Sequence, residues 1–214
     1  MWVIKIGGSI LDQEDSALVQ IARTLIDLAS SERLLIVTGG GRCANIIRSL
    51  DKREDIHDEP SHLLAIVCMH LNAYRLHSLF PKAFIITSDA YTDSKRIPIL
   101  LPMDTVNSSD LPKSWDITSD TISAYIAKIL NAKLILVKDV DGLIKPYPGG
   151  KLITEIGVDE LFTFQSTPLD SYIPVFLRDN QMGAYLVNGH HPERLEMVIR
   201  NQNYIGTHIL PCKR

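Results

Sequence analysis

Val3-Ile4-Lys5-Ile6-Gly7-Gly8 and Leu34-Leu35-Ile36-Val37-Thr38-Gly39-Gly40-Gly41 decide how this chain folds. Each is a short apolar run stopped by glycines. After the first, Leu18, Ile21, Ala22, Leu25, Leu28 and Ala29 recur at helical spacing from about Ser16. After the second, a helix can start at Cys43 and run to about Leu50. Strand, glycines and helix, twice over, predict an α/β sheet wound by right-handed crossovers. The continuous apolar character of the second run suits a parallel strand buried on both faces.

Working outward, residues 52–61 are dense in charge and read as a solvated loop, with a long helix from Pro60 to about Leu79. Strands are expected at 84–87 and 97–101. Pro98 points to an edge position for the second, because proline has no N–H to give a ladder. A helix over 119–130 leads to a buried strand at 134–137. The patch Pro146-Tyr147-Pro148-Gly149-Gly150 reads as a turn joining two short hairpin strands. A late strand at 184–187, a helix over 192–200 and a last strand at 208–210 would close the sheet. No repeat, low-complexity tract or linker divides the chain.

The 214 residues are 45% hydrophobic and 22% charged, which excludes disorder over most of the length. A chain of this size can bury roughly 70% of its unfolded surface and needs no metal or disulfide staple. With 22 Lys+Arg against 25 Asp+Glu, it lacks the basic excess of a nucleic-acid binder. Cys43, Cys68 and Cys212 are too few and too scattered for a disulfide framework or a zinc site. No apolar run approaches the ~20 residues that span a bilayer. The chain starts straight into a strand with no leader pattern, so a cytoplasmic protein with a small-molecule partner is expected, with no nucleic acid and no membrane.

Glycine turns after strands let backbone N–H groups approach phosphate oxygens, at the sheet edge where α/β proteins bind ligands. Gly7-Gly8, Gly39-Gly40-Gly41 and the looser Asp139-Val140-Asp141-Gly142 are such turns. Lys5, between Ile4 and Ile6, is either a fixed charge beside the first turn or a solvated edge lysine. A P-loop is absent: Gly150-Lys151 is followed by Leu152, and Lys145 stands where the first glycine belongs. Gly39-Gly40-Gly41-Arg42-Cys43-Ala44 does fit a dinucleotide fingerprint. However, the acidic residue expected ~20 positions later should end a strand, whereas Asp58 and Glu59 fall in the charged stretch.

The most specific stretch is Trp115-Asp116-Ile117-Thr118-Ser119-Asp120, leading through a helix to Lys133-Leu134-Ile135-Leu136-Val137-Lys138-Asp139-Val140-Asp141-Gly142-Leu143. Together with Lys5-Ile6-Gly7-Gly8-Ser9 and Thr38-Gly39-Gly40-Gly41, it resembles the amino acid kinase family, in family order over nearly the whole chain. Trp115 to Asp120, Lys138 before Asp139, and Val187-Asn188-Gly189-His190-His191-Pro192-Glu193-Arg194 most resemble those members that phosphorylate (5-(aminomethyl)furan-3-yl)methyl phosphate in methanofuran biosynthesis. The final Gly206-Thr207-His208-Ile209 agrees.

The resemblance implies a three-layer α/β/α sandwich of the carbamate kinase-like type with a mainly parallel central sheet. It implies one domain over 1–214, with an acceptor-binding lobe to about 112 and a nucleotide-binding lobe beyond. The implied activity is transfer of the γ-phosphoryl group of ATP, with Mg²⁺, to a phosphate monoester by a homo-oligomer. Other family acceptors (isopentenyl phosphate, UMP or an amino acid) and a non-catalytic nucleotide- or oxyanion-binding relative are the alternatives.

Carried over position by position, Lys5 would bind the transferring group, with Gly7, Gly8 and Ser9 donating to phosphates. Gly39, Gly40 and Gly41 would close over the acceptor, and Arg42 and Asn45 would meet its phosphate. Asp120 would hold the active-site lysines and help organise Mg²⁺, a role compatible with the helix cap that Thr118, Ser119 and Asp120 also suit. Lys138, Asp139, Asp141, Gly142 and Leu143 would line the nucleotide.

Many family members carry a second catalytic lysine after the late glycine region; 176–183 has none, and Lys138 or Arg178 could replace it, with Lys138 favoured. Asp58 or Glu59 could meet an amine on the acceptor. His62, His70 and His77 lie on the long helix, where core or solvent-facing histidines are commoner than ligands. His190-His191 suits either the nucleotide edge or a helix-start turn.

Overall fold

The computed structural model describes residues 1–88, 96–146 and 149–212. Tyr147 and Pro148, in the expected hairpin turn, lie outside the described residues. The first half runs β1 (Trp2–Ile6), α1 (Gly8–Leu11), α2 (Asp15–Leu28), β2 (Leu34–Thr38), α3 (Gly41–Glu54), α4 (Asp58–Leu79), β3 (Ala83–Ile86), β4 (Ile97–Leu100) and α5 (Met103–Asn107). The second half adds α6 (Ser119–Ile129), β5 (Lys133–Lys138), β6 (Leu143–Lys145), β7 (Lys151–Ile153), β8 (Glu155–Gly157) and a 3-10 turn over Val158–Thr163. It ends with α7 (Ile173–Asp179), β9 (Ala184–Asn188), α8 (Glu193–Ile199) and β10 (Thr207–Leu210).

Eight strands form one sheet in the order β3-β4-β2-β1-β5-β9-β10-β8. All neighbours are parallel except β9 and β10. Alternation along β1 separates two cores. Ile4 and Ile6 pack with Leu18, Ile21 and Leu25 of α2 and Leu195 of α8. Val3 packs on the other face with Ile122 and Ile126 of α6 and Leu177 of α7. This is the expected three-layer sandwich, with β6 and β7 paired as a separate hairpin.

Three expectations need correction. Pro98 is not on the edge, because β4 lies between β3 and β2. Ile97 N–H donates to Lys82 O at 3.0 Å and Leu101 N–H to Ile86 O at 2.8 Å, so Pro98 turns its missing donor toward β2. On that side the ladder shortens to the register pair Ile36↔Ile99, and the proline is tolerated.

Residues 52–61 are not a loop. The helix α3 continues to Glu54, Asp55 ends it in the left-handed region at φ 51°, and α4 starts at Asp58. Their charges complement helix dipoles: Lys52 and Arg53 in the last turn of α3, Asp58 and Glu59 in the first turn of α4. Finally, β10 does not close the sheet, since β8 pairs beyond it.

The two glycine turns meet backbone to backbone. A Cβ on Gly8 would stand 2.4 Å from Gly41 Cα, and one on Gly39 would stand 2.6 Å from Gly8 N. Gly41 also needs its positive φ of 56°. Gly8→Ala is therefore expected to force the turns apart and lower stability by about 1–3 kcal/mol, as overpacking does. Urea unfolding checks this, and a loss below about 0.5 kcal/mol, typical of a harmless substitution, would contradict the close packing.

Candidate active site

Lys5 leaves β1 on the Val3 face and is 4% exposed. In the β1–β5 register Lys5 pairs with Leu136. Strand faces repeat every second residue, so Lys138 stands on the same face one pleat further on. Between them comes Asp120, in the first turn of α6 and 1% exposed. Its Oδ1 lies 2.7 Å from Lys5 Nζ, and its Oδ2 accepts from Lys138 Nζ at 2.6 Å. Oδ2 also accepts the Asp170 N–H at 3.1 Å, and Lys138 Nζ donates to the Pro168 carbonyl.

Burial by itself would raise the Asp120 carboxyl, but the Lys5 and Lys138 ammonium groups outweigh it and hold the group well below the usual carboxylate range. Burial lowers the Lys5 ammonium, with Asp120 opposing that shift and Lys138 reinforcing it. One buried carboxylate thus faces two cations.

No sequence motif marks Asp170, which does the capping left open for Asp120. Its Oδ2 accepts Thr118 N–H at 3.0 Å and Thr121 N–H at 2.9 Å, and both threonine hydroxyls donate to the same carboxylate. Its Oδ1 takes Ile173 N–H at 2.9 Å, so one side chain anchors the starts of α6 and α7. Burial and the Asp120 charge raise its carboxyl against those hydrogen bonds. The contacts span some fifty residues, and no local pattern announces them.

The glycine turns border this cluster. A Cβ on Gly7 would stand 3.7 Å from Lys5 Nζ. The amides of Gly7 and Gly39 are committed to Val137 O and Ile6 O, each at 2.8 Å. Gly8 and Ser9 open α1, where first-turn amides have no intrahelical partner. Gly40 ends the second turn. Arg42 and Asn45 are exposed on α3, and Arg42 Nη2 reaches Asp12 O at 3.5 Å.

Asp139 is exposed just after Lys138. Asp141 accepts from Asn188 Nδ2 at 3.0 Å and from Arg194 Nη1 at 2.5 Å, which ties the ends of β5 and β9 to α8. A Cβ on Gly142 would strike Thr207 Oγ1 at 2.5 Å, and Leu143 is buried with its N–H donating to that same oxygen.

Of the two cations considered for the missing lysine, Lys138 is the one brought to Lys5 and Asp120. Arg178 lies late in α7, over the Phe162 ring and 3.0 Å from Asp179. Glu59 pairs with Lys113, and Asp58 is exposed. His190 Nε2 meets Gln13 Nε2 at 3.1 Å, and His191 lies 3.4 Å from Glu193.

The model of the amino acid kinase family matches residues 1–209. The chain belongs to the amino acid kinase family. It is 35% identical to the [5-(aminomethyl)furan-3-yl]methyl phosphate kinase of Methanocaldococcus jannaschii, over 98% of both chains. It is 25% identical to the uridylate kinase of Thermofilum pendens, over 97% of this chain and 96% of that one. The crystal structure of uridylate kinase from Archaeoglobus fulgidus superimposes with a TM-score of 0.76 at 19% identity, covering 97% of this chain and 99% of that one.

Membership makes the chain a phosphotransferase and implies ATP as donor. Among the described residues no helix is long and apolar enough to cross a membrane. Magnesium has no ready-made cage: no group of three or more His, Cys, Asp or Glu able to hold a metal occurs among the described residues. Asp120 Oδ2 is committed to Lys138 Nζ and the Asp170 N–H, whereas the buried Oδ1, 2.7 Å from Lys5 Nζ, makes no aligned hydrogen bond.

Asp120→Asn would leave two buried ammonium groups without their counter-charge. The expected cost in urea unfolding is about 3–5 kcal/mol, the range for a broken buried pair. A loss under about 1 kcal/mol, the worth of an exposed pair, would contradict the geometry.

The same carboxylate gives a pH signature. Its folded pKa is depressed, so its stabilisation is fully present above the unfolded value of ~4 and fades as pH falls toward the folded one. Asp170, shifted upward, contributes the opposite slope. Wild-type stability should therefore decline below ~pH 4 with a component that Asp120→Asn lacks. Parallel acid-unfolding curves for the two proteins would overturn the assignment.

Proposed function

We propose that this enzyme transfers the γ-phosphoryl group of ATP to (5-(aminomethyl)furan-3-yl)methyl phosphate, giving its diphosphate and ADP, as a cytoplasmic homo-oligomer of methanofuran biosynthesis. The observation that carries the reaction is the pair of cations, Lys5 and Lys138, held on one buried carboxylate beside two glycine turns. The 35% identity to the kinase of that name supports the acceptor.

Phosphoryl transfer needs alignment and charge neutralisation more than covalent chemistry. Lys5 and Lys138 supply fixed positive charge for the oxygens of the transferring group, and Asp120 positions both. The first-turn amides at Gly8 and Ser9 donate to the phosphates. Gly39, Gly40 and Gly41 bring backbone close to the acceptor's reacting oxygen, with Arg42 and Asn45 at its phosphate. Asp139 and Asp141 form the rim on the nucleotide side. The acceptor oxygen attacks the γ-phosphorus, the bond to the β-phosphate oxygen breaks, and ADP leaves. A monoester with a second pKa of ~6 is already anionic near neutrality, so no general base is required.

The test is ADP release from Mg·ATP with the furan phosphate, isopentenyl phosphate, UMP, acetylglutamate and aspartate offered separately. Turnover with the furan phosphate is expected, and Lys138→Ala should reduce kcat by about 10²–10³-fold, as loss of one preorganised donor does. Turnover of another acceptor alone would replace the substrate but keep the kinase. A Lys138→Ala rate within a few-fold of wild type would remove Lys138 from the reaction. Tight ATP binding without turnover of any acceptor would favour a nucleotide-binding relative.

A further inference from the structure

A pocket opens beside the transfer site, between α3, α4 and the segment entering α6. Its walls are mainly apolar: Ala44 from α3, Ala65, Ile66 and Met69 from α4, and Ile117 and Ile122 around the start of α6. At one end Gly40 and Ser119 adjoin the glycine turns and Asp120. At the other are Arg48, His62 and Trp115.

The far end is firmly built. Trp115 Nε1–H donates to Asp51 Oδ2 at 2.6 Å, and Ser61 Oγ donates to Asp51 Oδ1 at 2.6 Å. Arg48 stacks over the indole, its guanidinium carbon 4.6 Å from the ring centroid. The Trp115 N–H and the Thr118 hydroxyl are thus committed to Asp51 and Asp170, and Arg48 can only donate.

His62 differs from these neighbours. It is 2% exposed, and its Nδ1 lies 3.0 Å from the Ser114 carbonyl. A carbonyl oxygen can only accept, so Nδ1 carries a proton. Burial holds the imidazole's pKa down, the Ser114 contact opposes that, and Lys113 adds to it, so the ring is neutral near pH 7. Nε2 is therefore a bare lone pair. It is buried and has no hydrogen-bond partner among the described residues. Leaving an acceptor of this kind unanswered is costly, and a ligand N–H would recover that cost.

We propose that His62 Nε2 accepts a hydrogen bond from an amine N–H at the end of the acceptor remote from its phosphate, and so selects small amine-bearing ring phosphates. This deepens the acceptor reading above and rests on it. Reach favours a compact molecule over a nucleotide. Ala65 O lies near Gly40, 3.4 Å from where a Cβ would stand, and His62 is three residues earlier on the same helix. The backbone of His62 is therefore about one helical turn (~5 Å) along α4 from the residue that faces the glycine turn. The pocket's free volume of about 50 Å³ admits a small group rather than a base with its ribose. A nucleotide would have to fit a ribose between its phosphate and its base. An amine donates to Nε2 whether or not it is protonated. Trp115 and the apolar walls supply surface for the ring.

The test compares (5-(aminomethyl)furan-3-yl)methyl phosphate with the analogue carrying methyl in place of aminomethyl. Wild type, His62→Phe and His62→Gln are assayed with both, and melting midpoints and ATP binding confirm that each variant is folded. The inference expects His62→Phe to raise KM for the amine substrate about tenfold or more, with little change in kcat or in KM for the methyl analogue. In His62→Gln, a side-chain oxygen near the Nε2 position should restore most of the preference. An unchanged ratio of kcat/KM between the two substrates in His62→Phe, or equal losses on both, would overturn the inference and leave the acceptor reading standing. Wild-type turnover of UMP but not of the furan phosphate would overturn both.

Discussion

One buried carboxylate holding two ammonium groups is the constraint on which the rest of the site depends. Each ion taken out of water costs several kcal/mol, recovered only when geometry and further hydrogen bonds are good. Asp120 meets that demand with Lys5 on one oxygen and Lys138 and the Asp170 N–H on the other. It cannot neutralise both lysines. The excess positive charge, in a place screened from solvent, is what the proposed reaction would present to an incoming phosphoryl group. A purely apolar replacement would pack more cheaply, so the arrangement makes physical sense as a site for anions rather than as a device for stability.

The fold delivers these charges with few degrees of freedom. Lys5 and Lys138 sit on adjacent parallel strands, and the register fixes their separation before any side chain is considered. Asp120 is set by the start of α6, which is itself fixed by Asp170 reaching across from the entry to α7. The glycine turns pack so closely that the two loops behave as one surface. Strand register, helix start and loop contact therefore converge on one point, the carboxyl end of β1.

Much of this was legible in the sequence, because it depends on local pattern. The buried strands declared themselves as apolar runs, and the glycines marked the ligand edge. Lys5 stood out as a charge inside a buried strand, and Asp120 and Lys138 through the family resemblance of their motifs. What stayed hidden depends on distant partners. Pro98 read as an edge residue because sequence shows the missing N–H but not which neighbour it faces. The charged 52–61 stretch read as loop because helix-end charges look the same as loop charges until the helices are seen. Asp170 and the Asp51–Trp115–Ser61 network join residues far apart in the chain. His62 read as one of several helix histidines, and only its burial beside the pocket sets it apart.

The central claim is that Lys5 and Lys138 act as one unit through Asp120. A double-mutant cycle on kcat/KM, with Lys5→Ala and Lys138→Ala made singly and together, tests it most directly. Residues in one network couple by about 0.5–3 kcal/mol. The account predicts that the double variant loses at least about tenfold less activity than the product of the single losses, a coupling of about 1.4 kcal/mol. Losses that multiply without coupling would mean that the two lysines act independently and would contradict the account.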